Sequence, residues 1–140
     1  MNLIKTCILI KPDGYEKKVV GKVLDKLESE GFQLIALKLI RPKKETLEQF
    51  YAEHQGRPFY PGLMEFMTSG PFVATVWEGE NIITRSRKII GATNSKEAET
   101  GTLRKLYGTD NRKNLVHGSD SEKSAEREIK ILFKEEELIK

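Results

Sequence analysis

A chain of 140 residues, with 32% charged side chains of both signs and 38% hydrophobic ones, is long enough to bury one sizeable core and too mixed for a disordered tract. A single domain over 1–140 is therefore expected. Its net charge of +3 attracts a phosphate-bearing ligand but lacks the concentrated basic stripe of a dedicated nucleic-acid binder. The lone cysteine, Cys7, excludes a disulfide framework and favours a reducing, cytosolic setting. No apolar run approaches membrane-spanning length, and no secretory signal pattern follows Met1.

Leu3 to Ile10 is apolar and β-prone, and Lys11-Pro12-Asp13-Gly14 breaks it into a turn, so strand one delivers Lys11 to its C-terminal end. Val19, Val20, Val23, Leu24 and Leu27 recur at helical spacing before Gly31. Phe32 to Ile40 predicts strand two, which is apolar at nearly every position; either both its faces are covered or its edge pairs with another subunit. Thr46 with Gln49 predicts a capping box for a short helix carrying Phe50, Tyr51 and His54. A second helix is expected from Tyr60 to Met67, after a corner that shows Phe59 and Tyr60.

Phe72 to Trp77 predicts strand three, ending at a Glu78-Gly79 turn, and Ile82 to Ile90 a helix stopped by Gly91. From Ala92 to Lys113 there is little periodicity beyond a turn of helix at Thr102 to Tyr107, and a loop this long is usually functional or used in assembly. Ser121 caps a short helix through Glu126, Ile129, Ile131 and Phe133 predict strand four, and Glu135-Glu136-Glu137 reads as a solvated tail. Two β-α-β halves of this kind predict an α+β, ferredoxin-like sandwich: a four-stranded antiparallel sheet with helices on one face and a long loop before His117.

Several chemistries are excluded. Gly14 and Gly21-Lys22 are too far apart for a phosphate-binding loop, and Val23 stands where a metal-holding hydroxyl is needed. Two histidines and one cysteine make a structural zinc site improbable. Ser119, His117 and Asp120 lie too close in sequence to align as a hydrolytic relay. What stands out is Asn114-Leu-Val-His117-Gly118-Ser119-Asp120-Ser121, an imidazole beside hydroxyls and a carboxylate on a backbone that glycine lets bend. Such a histidine can attack, bind metal or move protons. Lys11, Arg87 and Arg104 are the cations this fold can bring to it, where they would stabilise charge on a transferring phosphoryl group.

Ile10-Lys11-Pro12-Asp13-Gly14, Arg57-Pro58-Phe59, Ser69-Gly70-Pro71, Trp77-Glu78-Gly79, Gly101-Thr102-Leu103-Arg104 and the His117 stretch occur in one order across nearly the whole chain. Together they resemble the nucleoside diphosphate kinases. The resemblance implies a ping-pong reaction in which a nucleoside triphosphate, mainly ATP, gives its γ-phosphate to His117 and the phosphohistidine passes it to a nucleoside diphosphate. It assigns the nucleophile to His117 Nδ1, with Glu128 and Ser119 orienting the ring. Lys11, Arg87, Thr93 and Arg104 match the phosphate contacts, and Asn114 with Lys11 the ribose contacts. Phe59 matches the ring that stacks on the base, Leu63 lies on its apolar side, and Tyr51 stands near the phosphates. Magnesium is implied on the nucleotide phosphates, with no direct protein ligand and Asp120 at most acting through water.

Ser95, Thr100 and Lys105-Leu106 depart from the resemblance within the long loop, which packs at subunit contacts in hexameric members. A dimer through strand two, assembled further into a tetramer or a hexamer, is expected, with no membrane association and at most weak nucleic-acid binding. The alternative is a ferredoxin-like module for single-stranded nucleic acid, which would need exposed rings on its sheet; Phe32 and Phe72 are the candidates.

Overall fold

A computed structural model describes residues 3–139. Strands β1 (Leu3–Ile10), β2 (Gln33–Ile40), β3 (Phe72–Glu80) and β4 (Val116–Gly118) form an antiparallel sheet in the order β2-β3-β1-β4. The expected α+β, ferredoxin-like sheet is present, with β1 central and Lys11 at its end. Successive side chains of a strand point to opposite faces. In β1, Cys7 and Leu9 accordingly join one core cluster while Ile8 and Ile10 join another. The continuous apolar run is thus a strand buried on both sides.

Helices α2 (Val20–Ser29) and α5 (Ile82–Ile90) pack on the Ile8 face, as in the expected sandwich. The opposite face is covered as well, by α3 (Lys44–Phe50), α4 (Tyr60–Met67) and α7 (Glu122–Leu132), so a second helical layer adds to the single one expected. Two short helices accompany them, α1 (Pro12–Glu16) and α6 (Leu103–Tyr107). The first occupies the expected turn, because Pro12 supplies the preset φ of a first helical position.

Four local expectations are corrected. The fourth strand is Val116–Gly118 and contains His117 itself, whereas Ile129 and Leu132 lie in α7. Ser121 does cap that helix, accepting the Ser124 amide at 3.0 Å; Ala125, Glu128, Ile129 and Leu132 then form its buried face at helical spacing. Thr46 caps nothing, since α3 starts at Lys44 with Lys43 as its extended flank. The acidic tail is tied down: Ile139 N donates to Ile35 O at 3.1 Å and Glu137 pairs with Lys38 at 2.7 Å. Glu78 and Gly79 remain within β3, while Gly91, at φ 97°, ends α5 as expected.

Candidate active site

Lys11 and His117 lie at the same end of the sheet because β1 and β4 are neighbours, with Leu9 opposite His117 in the ladder. The link between them is a tight reversal at Leu115. Val116 N donates to Asn114 O at 2.9 Å, closing a three-residue turn with Leu115 at φ 77°. A branched residue in that region is strained by about 1–3 kcal/mol and persists only where its surroundings hold it. Here Leu115 N donates to Asp13 Oδ2 at 3.0 Å and Lys11 N donates to Leu115 O at 2.8 Å. Arg104 clamps both sides, its Nε donating to Asn114 O at 3.1 Å and its Nη2 to Val116 O at 2.7 Å.

His117 presents its ring from this turn. Nε2 lies 2.8 Å from Glu128 Oε1, which also accepts from Ser119 Oγ at 2.7 Å. A carboxylate only accepts, so Nε2 carries the hydrogen and Nδ1 keeps its lone pair. Ser119 is buried, and its Oγ accepts from Cys7 N at 3.2 Å. The ring is wedged edge-on against Phe50 and Tyr51, with centroids 5.0 and 6.3 Å away. Few rotations remain open to it.

Around the histidine is an open cleft of about 400 Å³. Lys11, Tyr51, Phe59, Leu63, Arg87, Thr93, Arg104, Asn114, His117, Asp120 and Glu128 all line it, so every residue singled out in sequence faces it except Ser119, which stands behind Glu128. Lys11 Nζ donates to Asn114 Oδ1 at 2.8 Å, and Asn114 Nδ2 donates to Thr93 O at 3.0 Å. Arg87 Nη1 is held by Gly118 O at 3.0 Å. The Tyr51 phenol oxygen Oη is buried without a partner among the described residues. Phe59, by contrast, is 44% exposed at the mouth, an unusual position for a large ring unless something covers it.

Burial and like charge tune the deep end. Lys11 is pushed down to about 7 by burial, with Arg104 adding to the effect. Burial, then Arg87, lowers Arg104 to about 10, still charged at neutral pH. Burial and the Glu128 carboxylate both raise Tyr51, which stays a neutral phenol. Lys11, Arg87, Arg104, Arg112 and Arg127 line the cleft against Glu53, Asp120 and Glu128, an excess of positive charge that suits a polyphosphate.

The family profile described as Nucleoside diphosphate kinase matches residues 4–138. The chain belongs to the nucleoside diphosphate kinase family. It is 52% identical over 139 residues to the nucleoside diphosphate kinase of Persephonella marina, covering 99% of each chain. It is 51% identical to that of Synechococcus sp. (strain JA-3-3Ab), covering 96% of this chain and 91% of the relative. Among solved structures, the Aquifex aeolicus nucleoside diphosphate kinase superposes with a TM-score of 0.97 at 46% identity, covering 99% of this chain and 100% of that one. The Halobacterium salinarum nucleoside diphosphate kinase, solved in complex with CDP, gives 0.96 at 39% identity over 99% and 93% of the two chains.

As a nucleoside diphosphate kinase the chain is a phosphotransferase acting between nucleotides. The nucleic-acid-binding alternative is not favoured, because Phe32 and Phe72 are buried at 5% and 1% exposure beneath helices and offer no stacking platform. Sequence reasoning passed over several groups in the cleft. Phe50 and Arg127 come from helical faces, Asn111 and Arg112 from the aperiodic loop, and Asp13 acts from behind. Only Asp13 had a visible signal, its place beside Lys11. No helix among the described residues is long and apolar enough to cross a membrane.

Proposed function

We propose that the chain moves the γ-phosphate of a nucleoside triphosphate to a nucleoside diphosphate through a phosphohistidine on His117. The observation that carries the proposal is the pairing of Nε2 with Glu128, which leaves Nδ1 as the nucleophilic nitrogen facing a cationic cleft. Nδ1 attacks the γ-phosphorus, the bond from phosphorus to the β,γ-bridging oxygen breaks, and its electrons stay on the departing diphosphate. The imidazolium that forms keeps its Nε2 proton against Glu128. In the second half a terminal β-phosphate oxygen of the acceptor attacks the same phosphorus, and the electrons return to Nδ1.

Lys11, Arg87, Arg104 and Thr93 hold the phosphates, and the buried Tyr51 hydroxyl donates beside them. Lys11 and Asn114, already joined, bind the ribose hydroxyls. Phe59 stacks on the base with Leu63 alongside. The described residues contain no group of three His, Cys, Asp or Glu side chains able to hold a metal ion. Glu128 is engaged and Asp120 is exposed, a donor set that fits a divalent cation carried in on the nucleotide, with Asp120 reaching it through water. Mg2+ bound in this way neutralises phosphate charge during transfer.

The same reading includes assembly and place. Strand β2 lies at the sheet edge and exposes Leu37 and Leu39 at 47% and 59%, which supports a dimer through that strand, built up into a tetramer or a hexamer. A strict monomer by light scattering sinks that part. The buried thiol of Cys7 supports a cytoplasmic setting.

Incubation with γ-labelled ATP and magnesium tests the chemistry. An acid-labile, base-stable label that discharges onto GDP and is absent from His117→Asn is the expected result. If nucleotide binds and no label appears, the proposal is wrong.

A further inference from the structure

Phe59 alone would treat all bases alike, since stacking reads a π-face and no edge. The same cleft carries a group that does not. Arg112 lines it together with Phe59, Leu63 and Asn111. Its backbone is pinned, because Arg112 N and Lys113 N donate to Asp110 Oδ1 at 2.9 and 2.7 Å, and these two hydrogen bonds hold the Asp110 carboxyl below its usual range. From that fixed turn the side chain crosses to α4 and lays its guanidinium over the bare backbone of Gly62. A Cβ there would meet Nη1 at 2.7 Å and stand closer still to Nη2 and Cζ.

No acid answers this cation. Among the described residues the Arg112 guanidinium has no hydrogen-bond acceptor, no ion-pair partner and no ring beneath it, unlike Arg85, which lies over Phe32, or Arg127, which caps α3. A planar fork with unsatisfied donors therefore stands at the mouth of the cleft, on the same wall as the exposed ring.

We propose that Arg112 is a specificity-determining residue that reads the edge of the base stacked on Phe59 and favours guanine nucleotides. This rests on the phosphotransfer and stacking proposed above and adds a substrate preference to them. A guanidinium offers only donors, in a fixed planar array. Guanine presents two neighbouring acceptors, N7 and O6, on one edge, whereas adenine sets an amino donor beside its N7. The fork is satisfied by the first and opposed by the second. Arg112 is exposed, so water weakens the discrimination to the lower part of the usual range for such a pair, about tenfold.

Discharge of isolated phosphoenzyme in single-turnover mixing gives a second-order rate constant for each acceptor. The constant for GDP should exceed that for ADP about tenfold, and inosine diphosphate, which keeps N7 and O6 without the 2-amino group, should group with GDP. Arg112→Ala should bring the GDP to ADP ratio close to one. Arg112→Lys, which keeps the charge without the planar fork, should fall with it. Equal constants for GDP and ADP in the unaltered protein overturn the inference, as does a ratio that survives Arg112→Ala, a lysine that keeps it in full, or inosine diphosphate behaving as ADP. Failure to form any phosphoenzyme instead overturns the underlying reaction, and this inference with it.

Discussion

The carboxylate of Asp13 accepts the amide of Leu115 at 3.0 Å and so secures the left-handed residue that separates Asn114 from the strand of His117. Its other oxygen is buried without a hydrogen-bond partner among the described residues, and burial raises its pKa despite the Leu115 hydrogen bond. Asp13→Ala strands the Leu115 amide, which costs about 1–3 kcal/mol, and should slow labelling of His117 by about tenfold as the turn relaxes. Asp13→Asn keeps an acceptor oxygen and should recover most of both losses. Denaturant midpoints and labelling rates measured together check this; an alanine variant that labels at the unaltered rate removes any role for the contact.

Glu128 receives both His117 Nε2 and Ser119 Oγ on one oxygen. Replacing it with glutamine keeps the shape and removes the negative charge that stabilises the imidazolium. Hydrogen bonds to charged groups contribute about 1.5–3 kcal/mol, so Glu128→Gln should label about 10- to 100-fold more slowly. The loss belongs in kcat, with KM little changed, and a pure KM effect would remove Glu128 from the chemical step.

Lys11, lowered to about 7 by burial and by Arg104, is largely neutral at pH 8 in the free protein. A polyphosphate beside it favours the ammonium, so nucleotide binding at pH 8 should take up close to one proton, and affinity should fall as pH rises above 7. Calorimetry in buffers of different ionisation enthalpy measures the uptake, which should disappear in Lys11→Gln. The stability consequence has the opposite slope. Between about 7 and the ordinary 10.5 the unfolded chain binds the Lys11 proton more than the folded one. The contribution of this lysine to stability therefore rises with pH across that window and is lost as pH falls through about 7.

Phe59 is half exposed and touches His54 edge-on, with centroids 5.3 Å apart. Base stacking on a ring contributes about 1–3 kcal/mol, so Phe59→Ala should raise KM for nucleotides by about 5- to 100-fold while folding survives. Steady-state kinetics with several bases checks it. Loss confined to kcat would place the ring elsewhere in the reaction.

Much of this was legible in sequence wherever a local signal had a single cause. Gly91 stopped α5, Ser121 capped α7, and the Lys11-Pro12-Asp13-Gly14 break put a lysine at the mouth of the site. The family motifs selected cleft residues that the structure does gather around His117. The fourth strand was misplaced because Ile129, Ile131 and Phe133 mimic a strand period, while Ala125, Ile129 and Leu132 carry the helical one. The strand that does hold His117 is three residues long and takes its shape from a partner rather than from its own propensity. Arg112 escaped notice for a related reason: an exposed arginine in an aperiodic loop has no sequence signal, and its place over Gly62 depends on the fold.

The hydrogen bonds that build the cleft join residues very far apart in the chain. Lys11 to Asn114 spans 103 positions, Leu115 to Asp13 spans 102, and Cys7 to Ser119 spans 112. Loop-closure entropy opposes such contacts until the intervening sheet and helices are in place. His117 is therefore assembled among the last parts of the molecule during folding and is dismantled among the first when an end of the chain works loose. Catalytic competence reports on completion of the whole topology, and a truncated or half-folded chain that kept most of its helices would have a histidine but no site.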